Sequence, residues 1–135
     1  MKSTSERVAQ HKAGPIVAVA FAGNYPPGSL GNDCALQMIS YLRSVLTKTN
    51  PVAVLFDFRE LQYVWGDAIG GLAHELLLRS ASFRPSVIVA TGRTARSLEP
   101  LLGPRFIFGI AGTRMFGTVL EALNHLKQVV GQQTD

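Results

Sequence analysis

Residues 52–72 read VAVLFDFRELQYVWGDAIGGL and carry the strongest indication of the fold. The apolar run at 52–58 has the length and composition of a buried β-strand, and Gly66-Asp67 then turns the chain into a helix that begins Ala-Ile-Gly-Gly-Leu. In α/β domains, functional residues concentrate where a buried strand leads to the N-terminus of a helix. The Gly66-Asp67 turn is therefore the first candidate for a functional site.

The same alternation of strands and helices extends on both sides of this stretch. Apolar, β-branched runs predict further strands at residues 15–22, 87–90 and 106–110. Apolar residues spaced three and four apart predict helices at about residues 34–48, 67–82, 94–102 and 117–130. We therefore predict an α/β fold, with a mostly parallel mixed sheet of about four to five strands and about four helices.

Length and composition favour one domain. The chain has 135 residues, of which 47% are apolar and 16% charged, which is enough for one hydrophobic core. We predict a domain at residues 15–130, a flexible N-terminal lead-in at 1–14 and a flexible tail at 131–135. The lead-in lacks the apolar stretch of a secretory signal, and no apolar run approaches the roughly 20 residues that cross a bilayer. The expectation is a cytoplasmic protein without membrane insertion, and a single cysteine fits a reducing compartment.

The charge of the chain does not indicate a nucleic-acid-binding protein. The formal net charge is +4 and the pI is near 9.6. The arginines, however, are scattered along the chain, without a basic run and without interleaved aromatic residues. We predict no nucleic-acid partner.

Catalytic and metal-binding patterns are absent from the sequence. His11, His74 and His125 do not have metal-ligand spacing, and Cys34 supplies no second ligand beside them. There is no nucleophile elbow and no glycine-rich phosphate loop. We assign no catalytic residue, no metal site and no cofactor, and Asp67 is favoured as a helix N-cap over a catalytic base.

A second candidate site is the segment 91–97, TGRTARS, which follows a predicted strand and opens a helix. Its backbone N–H groups, together with Arg93, Thr94 and Arg96, are candidates for binding an anion. The favoured alternative is that Thr94 caps the helix and the two arginines face solvent.

Two motifs resemble the STAS domain family (sulfate transporter and anti-sigma factor antagonist). The stretch 63–72, YVWGDAIGGL, is similar to the family's turn of aromatic, Ile, Asp, Ser, Ser, Gly, Leu, Gly, Ala, Leu, and 116–123, FGTVLEAL, is similar to its last helix opening, F-x-T-hydrophobic-x-E-A-L. The resemblance covers about residues 15–130. It implies a STAS-like single domain that recognises proteins and is not an enzyme.

The resemblance also implies roles for single residues. In antagonist members the second Ser of the pair is phosphorylated by a partner kinase that is also the anti-sigma factor, and phosphorylation breaks the complex. Asp67 stands at that position, Gly66 at the first Ser and Trp65 at the preceding Asp, so this chain resembles a stand-alone divergent member without the phosphorylatable serine. The implied partner is an anti-sigma factor or a histidine-kinase-like ATPase, bound through a surface of six residues: Asn24, Tyr25, Trp65, Gly66, Asp67 and Gly70.

Several alternatives stay open at this point. Asp67 supplies about one negative charge where phosphoserine supplies about 1.5 to 2, so it is either a permanent partial mimic or only a cap. Trp65 is either an exposed interface anchor or a core residue under the loop. A different function class is a small-ligand or anionic-substrate-binding domain with enzymatic activity at Asp67 and Arg93, which a deep pocket lined by both residues would favour. A structural subunit, including a homo-oligomer, is a third.

Overall fold

The computed structural model describes residues 1–78 and 84–134 and contains a six-stranded mixed sheet with helices on both faces. The strands are β1 (Lys2–His11), β2 (Gly14–Asn24), β3 (Ala53–Asp57), β4 (Leu61–Gln62), β5 (Ser86–Val89) and β6 (Arg114–Phe116). Their order is β1-β2-β3-β5-β6, and β4 pairs with the end of β2. Only the β1–β2 pair is antiparallel, which confirms the predicted mostly parallel α/β sheet.

The helices are α1 (Asn32–Thr49), α2 (Gly71–Leu78), α3 (Gly92–Leu98), α4 (Ile107–Ile110) and α5 (Val119–Thr134). Three short 3-10 helices lie at Gly28–Gly31, Ala68–Gly70 and Glu99–Leu102. The predicted continuation of α2 to about residue 82 lies outside the described residues. Among the described helices, none is both long and apolar enough to cross a bilayer.

The central strands are buried on both faces because helices cover both sides of the sheet. Side chains alternate along each strand, so successive residues enter opposite cores. In β2, Val17, Val19 and Phe21 belong to a core shared with α1 and α2, whereas Ile16 and Ala18 belong to a second core under α5. Parallel pairing aligns Val19 with Phe56 of β3, and Phe56 with Ile88 of β5. The carboxyl ends of these strands therefore lie at one edge of the sheet, beside the 63–67 turn.

Within the described residues, most of the two segments predicted as flexible termini lies in regular elements. Residues 2–11 form β1, whose backbone pairs with β2 from Lys2 opposite Ala22 to His11 opposite Gly14. The segment is too polar to suggest a buried strand. Backbone hydrogen bonds to β2 hold it at the sheet edge, and only Val8 and Ala9 pack against the core under α5. At the other end, α5 continues past the predicted boundary at residue 130 to Thr134.

The strand predicted at residues 106–110 is wrong. Residues Ile107–Ile110 form helix α4, with Phe108 fully buried and Ile110 66% exposed. A short apolar run fits a buried strand or a buried helix equally well, so periodicity cannot separate the two. Gly109 packs so tightly that a Cβ there would overlap the carbonyl oxygen of Gly103. The strand that pairs with β5 at the edge opposite β1 is β6, which is three residues long and lies further along the chain.

Candidate functional site

Two loops meet beyond the ends of β2 and β4. The 24–31 loop follows β2, and the 63–67 turn follows β4. Backbone hydrogen bonds join them: Tyr25 N donates to Gln62 O at 2.9 Å, and Gly28 N donates to Trp65 O at 3.1 Å. Because main-chain bonds hold both segments, the 63–67 turn has a defined position on the sheet and is not a free loop.

Two glycines permit this close approach. Gly28 has φ +63°, and the Trp65 ring lies beside it, so that a Cβ at Gly28 would come within 2.6 Å of Trp65 Cη2. Gly66 has φ +127°, and a Cβ there would lie 3.2 Å from Gly28 O. Both backbone conformations favour glycine, since side chains at positive φ are strained. These two glycines therefore allow the Trp65 indole to lie against the 24–31 loop.

Trp65 is an exposed side chain and not a core residue. Its exposed fraction is 61%, and that of the adjacent Val64 is 39%. Asn24, at the end of β2, is also exposed, and it pairs with Gln62 of β4. The open alternative between a surface and a core position for Trp65 is therefore decided in favour of the surface.

A buried pair of tyrosines supports the turn from below. The rings of Tyr25 and Tyr63 are 5.3 Å apart at an interplanar angle of 62°, and the Tyr63 hydroxyl donates to Gly66 O. Burial, with a smaller contribution from the Asp67 charge, raises the pKa of both tyrosines to about 12. The Tyr25 hydroxyl has no hydrogen bond of normal geometry within the described residues, although the Ile69 backbone lies near enough to lower its pKa.

Two of the predicted partner-contacting residues are not at the surface. Tyr25 is only 1% exposed, so it positions the 24–31 loop and cannot itself contact a partner. Gly70 is buried in the Ala68–Gly70 turn, and a Cβ there would lie 2.9 Å from Ile107 Cγ2. Its role is to let α4 pack closely. The pattern of residue types along the chain did not separate these supporting positions from exposed ones.

Asp67 occupies the N-cap position of the Ala68–Gly70 turn but does not act as a cap. Its φ and ψ are −95° and −8°, and its side chain makes no capping hydrogen bond. A capping residue normally has extended dihedrals, which aim its side chain at the N–H groups of the first turn. The helix-cap interpretation is therefore wrong. Asp67 is exposed, and among the described residues its carboxylate has no hydrogen-bond or salt-bridge partner.

The predicted anion-binding residues do not form one site. Thr94 is buried, and its hydroxyl donates to Leu61 O at 2.7 Å and accepts from Tyr63 N at 3.2 Å. It caps no helix: the N-cap residue of α3 is Thr91. Arg93 and Arg96 are exposed on α3. Thr94 thus ties α3 to the start of the 63–67 turn, a role that sequence alone did not reveal.

The carboxylates near the end of β3 do not converge on Asp67. Asp57 forms a salt bridge with Arg59 at 2.8 Å. Burial alone would raise the pKa of Asp57, but the hydrogen bonds from Arg59 outweigh burial and hold it below its usual value. Asp57 and Glu60 line a groove on the β1 side of the sheet, away from the pocket that Asp67 lines. No acid–base pair involving Asp67 forms among the described residues.

A pocket of about 570 Å³ opens beside the 63–67 turn. Its walls come from the 24–31 loop and α1, from the turn itself, and from the α3 to α4 region. The lining residues are Gly28, Ser29, Asn32, Tyr63, Val64, Trp65, Gly66, Asp67, Ser97, Pro100, Leu101 and Phe106. Most of these positions were not predicted from the sequence. One available signal was the Pro26-Pro27-Gly28 sequence, which marks a sharp turn.

Metal ligands do not cluster in the part of the chain that the structure describes. No group of three or more His, Cys, Asp or Glu side chains there could hold a metal ion. Cys34 is half-buried, and burial raises the pKa of its thiol. A raised pKa lowers the thiolate fraction, so Cys34 has no sign of activation as a nucleophile.

Solved structures of anti-sigma factor antagonists share this fold. The chain is similar to an anti-sigma factor antagonist from Mycobacterium paratuberculosis, with 16% identity, a TM-score of 0.63 and 93% of each chain covered. It is also similar to the anti-sigma factor antagonist SpoIIAA in its unphosphorylated form, with 14% identity, a TM-score of 0.53, and 93% of this chain and 98% of that chain covered. No protein-family model and no curated protein sequence matches the chain. The predicted STAS-like fold is confirmed.

Proposed function

We propose that this chain is a non-enzymatic, STAS-like regulatory domain that binds a protein partner through the Trp65 surface, which consists of Asn24, Val64, Trp65 and Asp67. The observation that carries the proposal is Trp65, a large side chain that is 61% exposed yet sits on a turn held by backbone bonds. Tryptophan is among the residues that contribute most binding energy at protein interfaces, and a rigid anchor loses little entropy on binding.

The partner we propose is an anti-sigma factor or a histidine-kinase-like ATPase. The support is the shared fold, since solved neighbours are anti-sigma factor antagonists. The motif resemblance of residues 63–72 adds to it, because it aligns Asp67 with the serine that is phosphorylated in antagonist members. Such a partner implies a cytoplasmic location. Because Asp67 makes no cap, its exposed charge is free to act on a partner. We infer that it acts as a permanent partial mimic of the phosphorylated residue, which weakens the complex without abolishing it because its charge is smaller than that of phosphoserine.

The test is a binding measurement with the histidine-kinase-like ATPase encoded nearest to this gene, by calorimetry on purified proteins. Trp65→Ala should weaken binding at least about tenfold, which corresponds to about 1.4 kcal/mol. The matched control is Leu120→Ala on α5, because Leu120 is 69% exposed but lies outside the proposed surface. Equal effects of the two substitutions, or no binding of any such ATPase, would refute the proposal.

The proposed mimicry has its own test. Asp67→Ser should strengthen binding of the ATPase because it removes a fixed charge, and it should create a residue that the ATPase phosphorylates with ATP. Asp67→Asn removes the charge without adding an acceptor hydroxyl and should strengthen binding as well. If both variants bind more weakly than the natural chain, Asp67 is an attractive contact and not a phosphorylation mimic.

The alternative of an anionic-substrate site at Asp67 and Arg93 has less support. The pocket beside Asp67 is large enough for a small ligand, but neither Arg93 nor Arg96 belongs to its described lining. An anion there would meet a carboxylate without a neighbouring cation, which is unfavourable. Binding of a protein partner at the Trp65 surface does not explain the presence of this pocket.

A further inference from the structure

The pocket beside the 63–67 turn has mostly aromatic and apolar walls. The lining includes the aromatic residues Tyr63, Trp65 and Phe106, of which Trp65 is exposed and Phe106 half-buried, and Pro100 and Leu101 complete the apolar part. Its volume of about 570 Å³ falls in the range of sites for small organic molecules, about 300 to 1,000 Å³. A flat apolar body would bury its faces against these walls.

The charged part of the described pocket lining is negative. Asp67 is the one carboxylate of the described lining, which contains no Lys, Arg or His side chain. The carboxylate of Asp67 has no hydrogen-bond or salt-bridge partner among the described residues. Its negative charge contributes to the raised pKa of Tyr63, so its field reaches the wall of the pocket.

The pocket is also preformed. The hydrogen bond from Gly28 N to Trp65 O holds one wall, and Thr94, which bonds to Leu61 and to Tyr63, ties the turn to α3 on the opposite side. A ligand would therefore enter a site whose walls are already ordered, and binding would not have to compensate for ordering them.

We propose that this pocket binds a small organic cation with a flat apolar body, such as an aromatic amine or amidine, through an ion pair with Asp67 and contact with the aromatic walls. Aromatic faces attract cations, and a carboxylate in a partly apolar cleft adds a charge-assisted hydrogen bond. The inference goes beyond the proposed function. Because Trp65 and Asp67 belong both to the pocket and to the Trp65 surface, an occupied pocket would compete with a protein partner.

Trp65 is the single tryptophan of the chain, so its fluorescence reports directly on the pocket. The probes are benzamidine and phenethylamine, two flat aromatic cations. Each has matched controls of the same shape: neutral benzamide and anionic benzoate for the first, and anionic phenylacetate for the second. We expect a saturable fluorescence change with the cations, and at least about tenfold weaker binding of the neutral and anionic controls.

Two variants assign the effect to Asp67. Asp67→Asn should weaken benzamidine binding about tenfold while leaving the weak binding of benzamide unchanged. Glu60→Gln removes an exposed carboxylate that lies outside this pocket, and it should leave all titrations unchanged. Calorimetry on the same samples checks that fluorescence changes reflect binding and not collisional quenching.

The proposal is overturned if neither cation gives a saturable signal, if the controls bind as tightly as the cations, or if Asp67→Asn has no effect. These titrations contain no protein partner, so their failure leaves the ATPase measurement unaffected. Conversely, a chain that binds no ATPase can still bind benzamidine. If both activities are present, saturating benzamidine should weaken ATPase binding.

Discussion

The indole of Trp65 lies against the Cα of Gly28, so that a Cβ at Gly28 would come within 2.6 Å of Trp65 Cη2 and 2.8 Å of Cζ2. The same two residues are joined by the hydrogen bond from Gly28 N to Trp65 O at 3.1 Å. The backbone hydrogen bond therefore fixes the position of Trp65, and the lack of a side chain at Gly28 leaves room for the ring. The exposed Trp65 depends on a glycine that is distant in sequence.

Gly28→Ala should displace the Trp65 ring. The added Cβ overlaps the indole, and φ +63° strains any side chain, so we expect a loss of about 1 to 3 kcal/mol in stability and a shift in Trp65 fluorescence. Gly92→Ala is the matched control, because Gly92 has φ +59° with nothing within 4 Å of its Cβ position. It should show the backbone strain alone, without the fluorescence shift. Equal spectra for the two variants would contradict this account.

Thr94→Val should loosen the 63–67 turn. It deletes the hydroxyl that bonds Leu61 O and Tyr63 N while keeping the shape of the side chain. Leaving these buried backbone groups without partners should cost about 1 to 3 kcal/mol in urea unfolding. Thr47→Val removes an exposed hydroxyl that bonds only Arg43 O, and it should cost much less. If Thr94→Val is no less stable than Thr47→Val, the hydrogen bonds of Thr94 to Leu61 and Tyr63 do not contribute to stability.

Stability should fall in alkaline solution. Burial raises the pKa of Tyr25 and Tyr63 to about 12 in the folded chain, whereas tyrosines in an unfolded chain ionise near pH 10. The folded state therefore retains protons that the unfolded state releases. This contribution to stability is fully present below about pH 10 and is lost as pH rises toward about 12.

Urea unfolding at a series of pH values measures this loss. Tyr63→Phe should reduce the alkaline slope, since one of the two shifted groups is gone. The same variant should be less stable at neutral pH, because it also loses the hydrogen bond to Gly66 O. An alkaline slope identical to that of the natural chain would contradict the assignment.

Arg43→Met should weaken the contact between α1 and α2. Arg43 Nε and Nη2 donate to the two carboxylate oxygens of Glu75 at 2.8 and 3.2 Å, and the Glu75 side chain is only 5% exposed. Losing both bonds leaves the buried Glu75 carboxylate without this cation, so the unfolding midpoint should fall in thermal or urea unfolding. Arg43→Lys keeps the charge but not the two-pronged geometry, so its loss should be intermediate. Full retention of stability by Arg43→Met would contradict the prediction.

Much of the fold was predictable because the buried strands carry a strong local signal. The apolar run at 52–58 and the β-branched run at 15–22 are buried on both faces, and the spacing of Met38, Leu42 and Val45 follows one helical face. The errors fall where the local signal is weak. The edge strand β1 is polar, and the run FIFGI at 106–110 fits a strand or a helix equally well.

The candidate site was only partly predictable. The motif around Gly66-Asp67 located the turn, but nothing local distinguishes exposed Trp65 from buried Tyr25, or free Asp67 from a cap. These differences depend on the neighbouring 24–31 loop and α3, which approach from far along the chain. Thr94 shows the same limit, since its partners Leu61 and Tyr63 lie about thirty residues away.

The order of the central strands and helices, the STAS-like fold class and the position of the Gly66-Asp67 turn could be predicted from local sequence patterns. Hydrophobic periodicity and turn residues act locally, so these features can be read without the partners they pack against. The outward position of Trp65 over Gly28 and the lack of a cap at the Asp67 carboxylate depend on tertiary contacts. So does the pocket with aromatic walls that opens beside them, because burial and cavity shape depend on segments distant in sequence.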